Sequence, residues 1–182
     1  MRIAGFGGQG IVLAGYIIGK AAALHDDLHA VMTQSYGPEA RGGACSAAVV
    51  LSDEPIDYPL ATRPDCLVVL SQEAYTAYHD QLADDGLLVG DADVAMEPSS
   101  SADTVGGRQL HQIPALRLAE QLGRRIVTNI VMLGFWTAMA DYVSRAAMEE
   151  AIRSTVPPRT VDLNMRAFAA GYEFAHSLEA VG

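Results

Sequence analysis

The sequence is short of cysteine, of positive charge and of long hydrophobic runs, and each shortage closes off a class of function. Two cysteines, Cys45 and Cys66, in 182 residues cannot supply the four thiolates of an ordinary iron–sulfur cluster or structural zinc site. The same scarcity suits a reducing cytoplasm, and both residues read as buried thiols. Twelve Lys and Arg against 22 Asp and Glu give a formal net charge of −10, which leaves no basic surface to neutralise a nucleic-acid backbone or an anionic bilayer. The longest charge-free stretches, residues 3–19 and 126–140, fall short of the roughly 20 apolar residues that cross a bilayer. Nor does the start read as a secretory leader, because Gly5, Gly7, Gly8 and Gly10 interrupt the apolar segment such a leader needs.

What is present is a chain that folds. Half the residues are hydrophobic, 19% are charged and the mean hydropathy is +0.16, far from the composition of disordered segments. The length predicts one domain over residues 1–182 with a substantial core. Residues 2–6 read as a short strand ended by a glycine cluster, and apolar residues then recur with helical spacing over 11–24. Further strands are expected at 29–34, 44–51, 66–70 and 86–91, with a weaker one at 108–113. Ser71 reads as an N-cap with Glu73 in the first turn of a helix running to Leu82. Helices are expected over 114–122, 129–141, 144–154 and 162–178. On the last, Leu163, Ala167, Phe168, Gly171, Phe174, Ala175 and Leu178 form one core-facing stripe. Residues 96–107 are polar, weakly patterned and read as a loop. Strands alternating with helices predict an α/β fold: a three-layer α/β/α, Rossmann-like domain with a largely parallel sheet and a helical C-terminal part.

Gly5-Phe6-Gly7-Gly8-Gln9-Gly10 satisfies G-x-G-x-x-G where it follows a strand and opens a helix. Exposed backbone N–H groups and the helix dipole there favour an anion, so Gly7, Gly8, Gln9 and Gly10 are candidate cofactor-binding residues. A dinucleotide site also needs an acid closing the second strand to hold the ribose hydroxyls, and the sequence offers Gln34 and Ser35 instead. The following segment, Ser35-Tyr36-Gly37-Pro38-Glu39-Ala40-Arg41-Gly42-Gly43, continues neither helix nor strand. It should leave the sheet beside the glycine loop, with Arg41 able to fork onto a carboxylate or phosphate and Glu39 able to hold it or face a partner.

These segments together resemble the gamma subunit of 2-oxoacid:ferredoxin oxidoreductases, the pyruvate, 2-oxoglutarate and 2-ketoisovalerate oxidoreductase family. The resemblance rests on residues 5–10, Leu13-Ala14-Gly15, residues 35–43, residues 65–70 and Ser71-Gln72-Glu73-Ala74-Tyr75 in that order and spacing, with weaker support at 129–134 and 163–168. Residues 35–43 are the most specific part. It implies an enzyme that oxidatively decarboxylates a 2-oxoacid to an acyl-CoA and passes electrons through iron–sulfur clusters to ferredoxin. It further implies that thiamine diphosphate and the clusters sit on alpha, beta and ferredoxin-like delta partners, and that this chain packs against them with coenzyme A at its edge. Cofactor contact then falls to Gly7, Gly8, Gln9, Gly10 and Arg41, and partner contact to Tyr36, Glu39, Arg41, Gly42 and Gly43.

The residues themselves leave two alternatives beside this one: an autonomous NAD(P)-binding enzyme, and a purely structural assembly subunit. No Ser–His–Asp set stands out, and His25, His29, His79, His111 and His176 lack metal-ligand spacing. No catalytic and no metal-ligating residue is assigned. The pairs Asp26-Asp27, Asp84-Asp85 and Glu149-Glu150 read as solvated helix ends or faces.

Overall fold

The computed structural model describes residues 1–35, 43–94, 104–105 and 108–179. Strand β1 (Arg2–Phe6) leads through the glycine loop into helix α1 (Ile11–His25), followed by β2 (His29–Ser35) and β3 (Ala44–Ser52). Next come β4 (Cys66–Val69), α2 (Gln72–Tyr78), β5 (Leu87–Asp91), β6 (Thr104–Val105) and β7 (Arg108–Ile113). The remainder is helical, with α3 (Ala115–Gln121), α4 (Thr128–Ala140), α5 (Arg145–Arg153) and α6 (Val161–Glu179). Among the described residues no helix is long and apolar enough to cross a membrane.

The strands form one sheet in the order β2-β3-β1-β4-β5-β7-β6. β1, β4, β5 and β7 are parallel neighbours, while β3 runs against both β1 and β2 and β6 runs against β7. β2 therefore shares the direction of β1, and the sheet is largely parallel in sense, as expected. Two details differ from the sequence reading. β3 inserts itself antiparallel between β1 and β2, so the second strand does not neighbour the first. Thr104–Val105 pairs with Arg108 and Gln109 inside the stretch read as loop, a strand too short to show a period of two.

The helices are shared unequally between the two faces. Residues of α1, α3, α4, α5 and α6 join Ile3, Ala47, Val49, Val68 and Val89 in one large core, whereas α2 alone closes a smaller one over Ala4, Leu67, Val69 and Leu88. Three layers are present, and one is a single helix. α4 is buried at every position from Asn129 to Thr137 because α6 crosses it backbone to backbone. A methyl group on Gly134 would stand 2.9 Å from Tyr172 N, and one on Gly171 2.9 Å from Phe135 N, each closer still to a carbonyl oxygen of the opposite helix. The expected α6 stripe is core at Ala167, Phe168, Gly171 and Ala175; Leu178, 45% exposed, lies outside it.

Local chemistry explains where the helices start. The Ser71 hydroxyl accepts from Ala74 N–H at 3.2 Å, and the Ser144 hydroxyl accepts from Ala147 N–H at the same distance. Such caps are worth about 1 kcal/mol each. Ser144 in turn donates its own N–H and hydroxyl to the Asp26 carboxylate, at 2.6 and 2.7 Å. Asp26 is thus no free solvated acid, since it ties the end of α1 to the start of α5.

Candidate functional site

The glycine loop opens at the carboxyl ends of β1, β4 and β5, where a parallel α/β sheet places its crevice. Gly8 has φ +92° and Gly10 φ +72°, a backbone region open to glycine and costly for other residues. A Cβ at Gly7 or Gly8 would meet nothing within 4 Å, so the outer side of the loop is clear for close approach. Gly10 caps α1 through its carbonyl, which accepts from Ala14 N–H at 2.9 Å.

Gln9 behaves differently from the solvent-facing residue that an anion loop would want. Its side-chain oxygen accepts from Phe6 N–H at 2.6 Å and its amide nitrogen donates to Leu70 O at 3.1 Å. It bridges the loop to the end of β4, and its backbone N–H donates to Phe6 O at 3.2 Å, closing the turn. A residue the sequence reading left without a role, Asn129, performs the matching task on the other side. It is 2% exposed, donates to Gly10 O at 3.2 Å and accepts from Ile130 N–H at 3.0 Å. The loop is therefore held at both ends by side-chain amides, a pre-organised arrangement for a backbone-lined site.

Below the loop lies a crevice of about 580 Å³ with Gly8, Gln9, Ser71, Glu73, Asp93 and Arg125 on its walls. Asp91, at its base and 4% exposed, accepts from Asp93 N–H and Leu116 N–H, both at 3.0 Å. Its role is to join β5 to α3. Arg125 pairs with Glu120 at 3.2 Å and Arg117 with Asp93 at 3.0 Å, all well exposed, pairs worth at most about 1 kcal/mol. The crevice wall is of mixed charge, with Glu73 and Asp93 facing Arg125 across the lining.

The segment singled out by the sequence springs from the same edge. Phe6 pairs with Ala44 and Ser35 with Ser46, which brings Ser35 and exposed Gly43 to the end of the sheet where the glycine loop begins. Tyr36, Glu39, Arg41 and Gly42 lie outside the described residues.

Neither cysteine is set up as a nucleophile. Burial pushes the Cys66 thiol up to about 12, with the nearby Trp136 indole N–H working the other way. Burial raises Cys45 as well. The folded state holds the Cys66 proton more tightly than the unfolded chain, so its stabilisation is complete below the unfolded value near 9 and is lost as pH climbs from there towards 12. Urea unfolding at pH 8 and pH 10.5 should show a larger loss for the wild type than for Cys66→Ala, and equal losses would contradict this. Among the described residues no three His, Cys, Asp or Glu side chains converge on a point that could hold a metal ion.

A glycine-loop crevice at the carboxyl ends of parallel strands, beside the β2–β3 hairpin, defines a domain of the Rossmann-like α/β class. The chain belongs to the pyruvate ferredoxin/flavodoxin oxidoreductase family, whose model matches residues 1–174. It is 49% identical over 98% of its length to 2-oxoglutarate synthase subunit KorC of Methanocaldococcus jannaschii, covering 94% of that protein. It is 34% identical over 96% of its length to ketoisovalerate oxidoreductase subunit VorA of Methanothermobacter thermautotrophicus, where the match spans 36% of a longer chain. Among solved structures, the keto/oxoacid ferredoxin oxidoreductase gamma subunit of Geobacter sulfurreducens PCA superposes with a TM-score of 0.84 at 40% identity, covering 97% of both chains.

Proposed function

We propose that this chain is the gamma-type subunit of a cytoplasmic 2-oxoacid:ferredoxin oxidoreductase acting on 2-oxoglutarate. The observation that carries this reading is end-to-end similarity to a 2-oxoglutarate synthase subunit, 49% identical across 98% of the chain, against 34% for the ketoisovalerate relative. The enzyme would convert 2-oxoglutarate and coenzyme A to succinyl-CoA and carbon dioxide, with two electrons leaving for ferredoxin. The thiamine diphosphate and the clusters belong to alpha, beta and delta partners in this reading. This chain contributes packing and one wall of the coenzyme A path.

Within that role, the backbone of residues 7–10 receives a phosphate of coenzyme A, supported by the clear outer side of the loop at Gly7 and Gly8 and by the 15-residue helix behind it, with no acid in its first turn. Arg41 supplies the side-chain cation, while Tyr36, Glu39, Gly42 and Gly43 face the partner. The side chain of Gln9 is excluded from ligand contact by its two internal hydrogen bonds. An autonomous NAD(P) enzyme is disfavoured because β2 ends in Gln34 and Ser35 with no carboxylate for the ribose.

Tagged purification from the native host should bring down larger chains together with coenzyme A-dependent dye reduction on 2-oxoglutarate. Recovery of the chain alone, or activity confined to another oxoacid, would refute the assembly or the substrate respectively. In the assembled enzyme, Arg41→Ala should raise the KM for coenzyme A about tenfold or more, the scale of one lost charge-assisted contact. An unchanged KM and unchanged assembly would remove Arg41 from the site.

A further inference from the structure

Among the described residues, no helix or apolar core packs on the α2 side of β2 and of the latter part of β3. α1 packs on Met32, Ala47 and Val49, since a methyl group on Gly15 would fall within 4 Å of all three. Side chains alternate across a strand, so Val31, Thr33, Ala48 and Val50 point to the opposite face. The register sets Val31 against Val50 and Thr33 against Ala48, making one contiguous patch. Val31 and Val50, both half-buried, belong to neither apolar core, with buried Ala48 beside them, and α2 closes its core over β1, β4, β5, the start of β3 and Leu110 of β7.

The patch has the chemistry of a permanent contact. β2 is an edge strand of sequence HAVMTQS, with no Lys, Asp, Glu or Pro of the kind that guards exposed edges. Val50 also lines a groove of about 810 Å³ at the other end of β3, together with Tyr58 and Leu60, which are 69% and 53% exposed. Pro55, Pro59 and Pro64 stiffen that segment, and the Arg2 guanidinium donates to Ala61 O at 3.1 Å. A surface already ordered loses less entropy when it is covered.

Two observations choose the occupant. A second copy would bring another net charge of −10 towards a chain equally acidic, which opposes self-association. In the ketoisovalerate relative, the matching region is 36% of a longer chain, so a larger polypeptide body is tethered to this domain there. The patch also borders Ser35 and Gly43, the two ends of the segment already assigned to partner contact. We infer that the β2–β3 face on which no described helix packs, continued by the Tyr58–Leu60 groove, is the docking surface for a larger subunit of the same oxidoreductase. This inference rests on the subunit reading above.

The test is native co-purification of tagged variants. Val31→Arg and Thr33→Arg each place a long cation on the patch, and Tyr58→Ser/Leu60→Ser alters only exposed side chains and so spares the fold. Each should retain less than a tenth of the larger subunit bound by the wild type, with wild-type circular dichroism, while Leu178→Arg, at the far end of α6, retains all of it. Full assembly of the patch and groove variants would overturn the docking surface and leave the subunit reading standing. A wild-type chain that captures no larger subunit would overturn both.

Discussion

Gly171→Ala is expected to lower the melting temperature of the chain by roughly 6–12 °C. Over-packing typically costs 1–3 kcal/mol; with backbone as the obstacle we take about 3 kcal/mol, and each kcal/mol shifts a domain of this size by about 2–4 °C. The new methyl group would press on the carbonyl carbon of Val131 and on Phe135 N, both at 2.9 Å, and more closely on the Val131 carbonyl oxygen. Backbone cannot rotate aside as a side chain can, so α4 and α6 must separate along a crossing packed by Phe135 and Phe168, both 0% exposed. Gly134→Ala meets Phe168 and Tyr172 in the same manner from the other helix. Because both substitutions pry open one crossing, the double variant should lose less than the sum of the two. A shift below about 2 °C for Gly171→Ala in thermal denaturation would show that the helices are not in backbone contact.

Gly10→Ala should be the most damaging change within the candidate site, at about 2–3 kcal/mol. One part is the left-handed φ of +72°, which costs a non-glycine residue roughly 1 kcal/mol or more. The other is collision with Asn129, whose Cγ lies 3.1 Å from the position of the added carbon and whose amide nitrogen lies nearer. Asn129→Ala removes the obstacle together with one hydrogen bond to Gly10 O, a loss of about 1 kcal/mol. Urea denaturation of the two single variants and the double variant then separates the terms. The double should be more stable than the sum predicts, because the collision disappears while the backbone strain remains. Simple additivity would mean that Asn129 does not pack on the loop.

The sequence was most informative where a pattern is local. Short apolar runs located β1, β4 and β5, period-3.6 spacing located α1 and the four later helices, and Ser71 marked its helix start through its own hydroxyl. Strand direction is not local: nothing within residues 44–52 reveals that β3 runs against its neighbours. The share of helices between the two faces was equally hidden, since α4 is apolar all round and carries no preferred side. Within the site, the glycines at 7, 8 and 10 were legible as a strand-to-helix glycine motif, and at Gly8 and Gly10 a positive φ selects glycine. Gln9 and Asn129 were not, because each acts on a partner, Leu70 or Gly10, that only the folded chain brings near. Asp91 is the same case, a carboxylate ending a strand whose partner Leu116 lies 25 residues further on.

Trp136 is the chain's one tryptophan, wholly buried where α4 lies against the sheet, with Cys66 beside its indole and Tyr142 at its edge, 6.2 Å between ring centroids. A lone indole in so apolar a setting emits at short wavelength, and an adjacent thiol quenches it. The chain thus carries its own optical probe at the junction of its helical layer and its sheet. Loosening that junction brightens and reddens the emission, whereas events confined to the glycine loop or the β2–β3 face leave it unchanged.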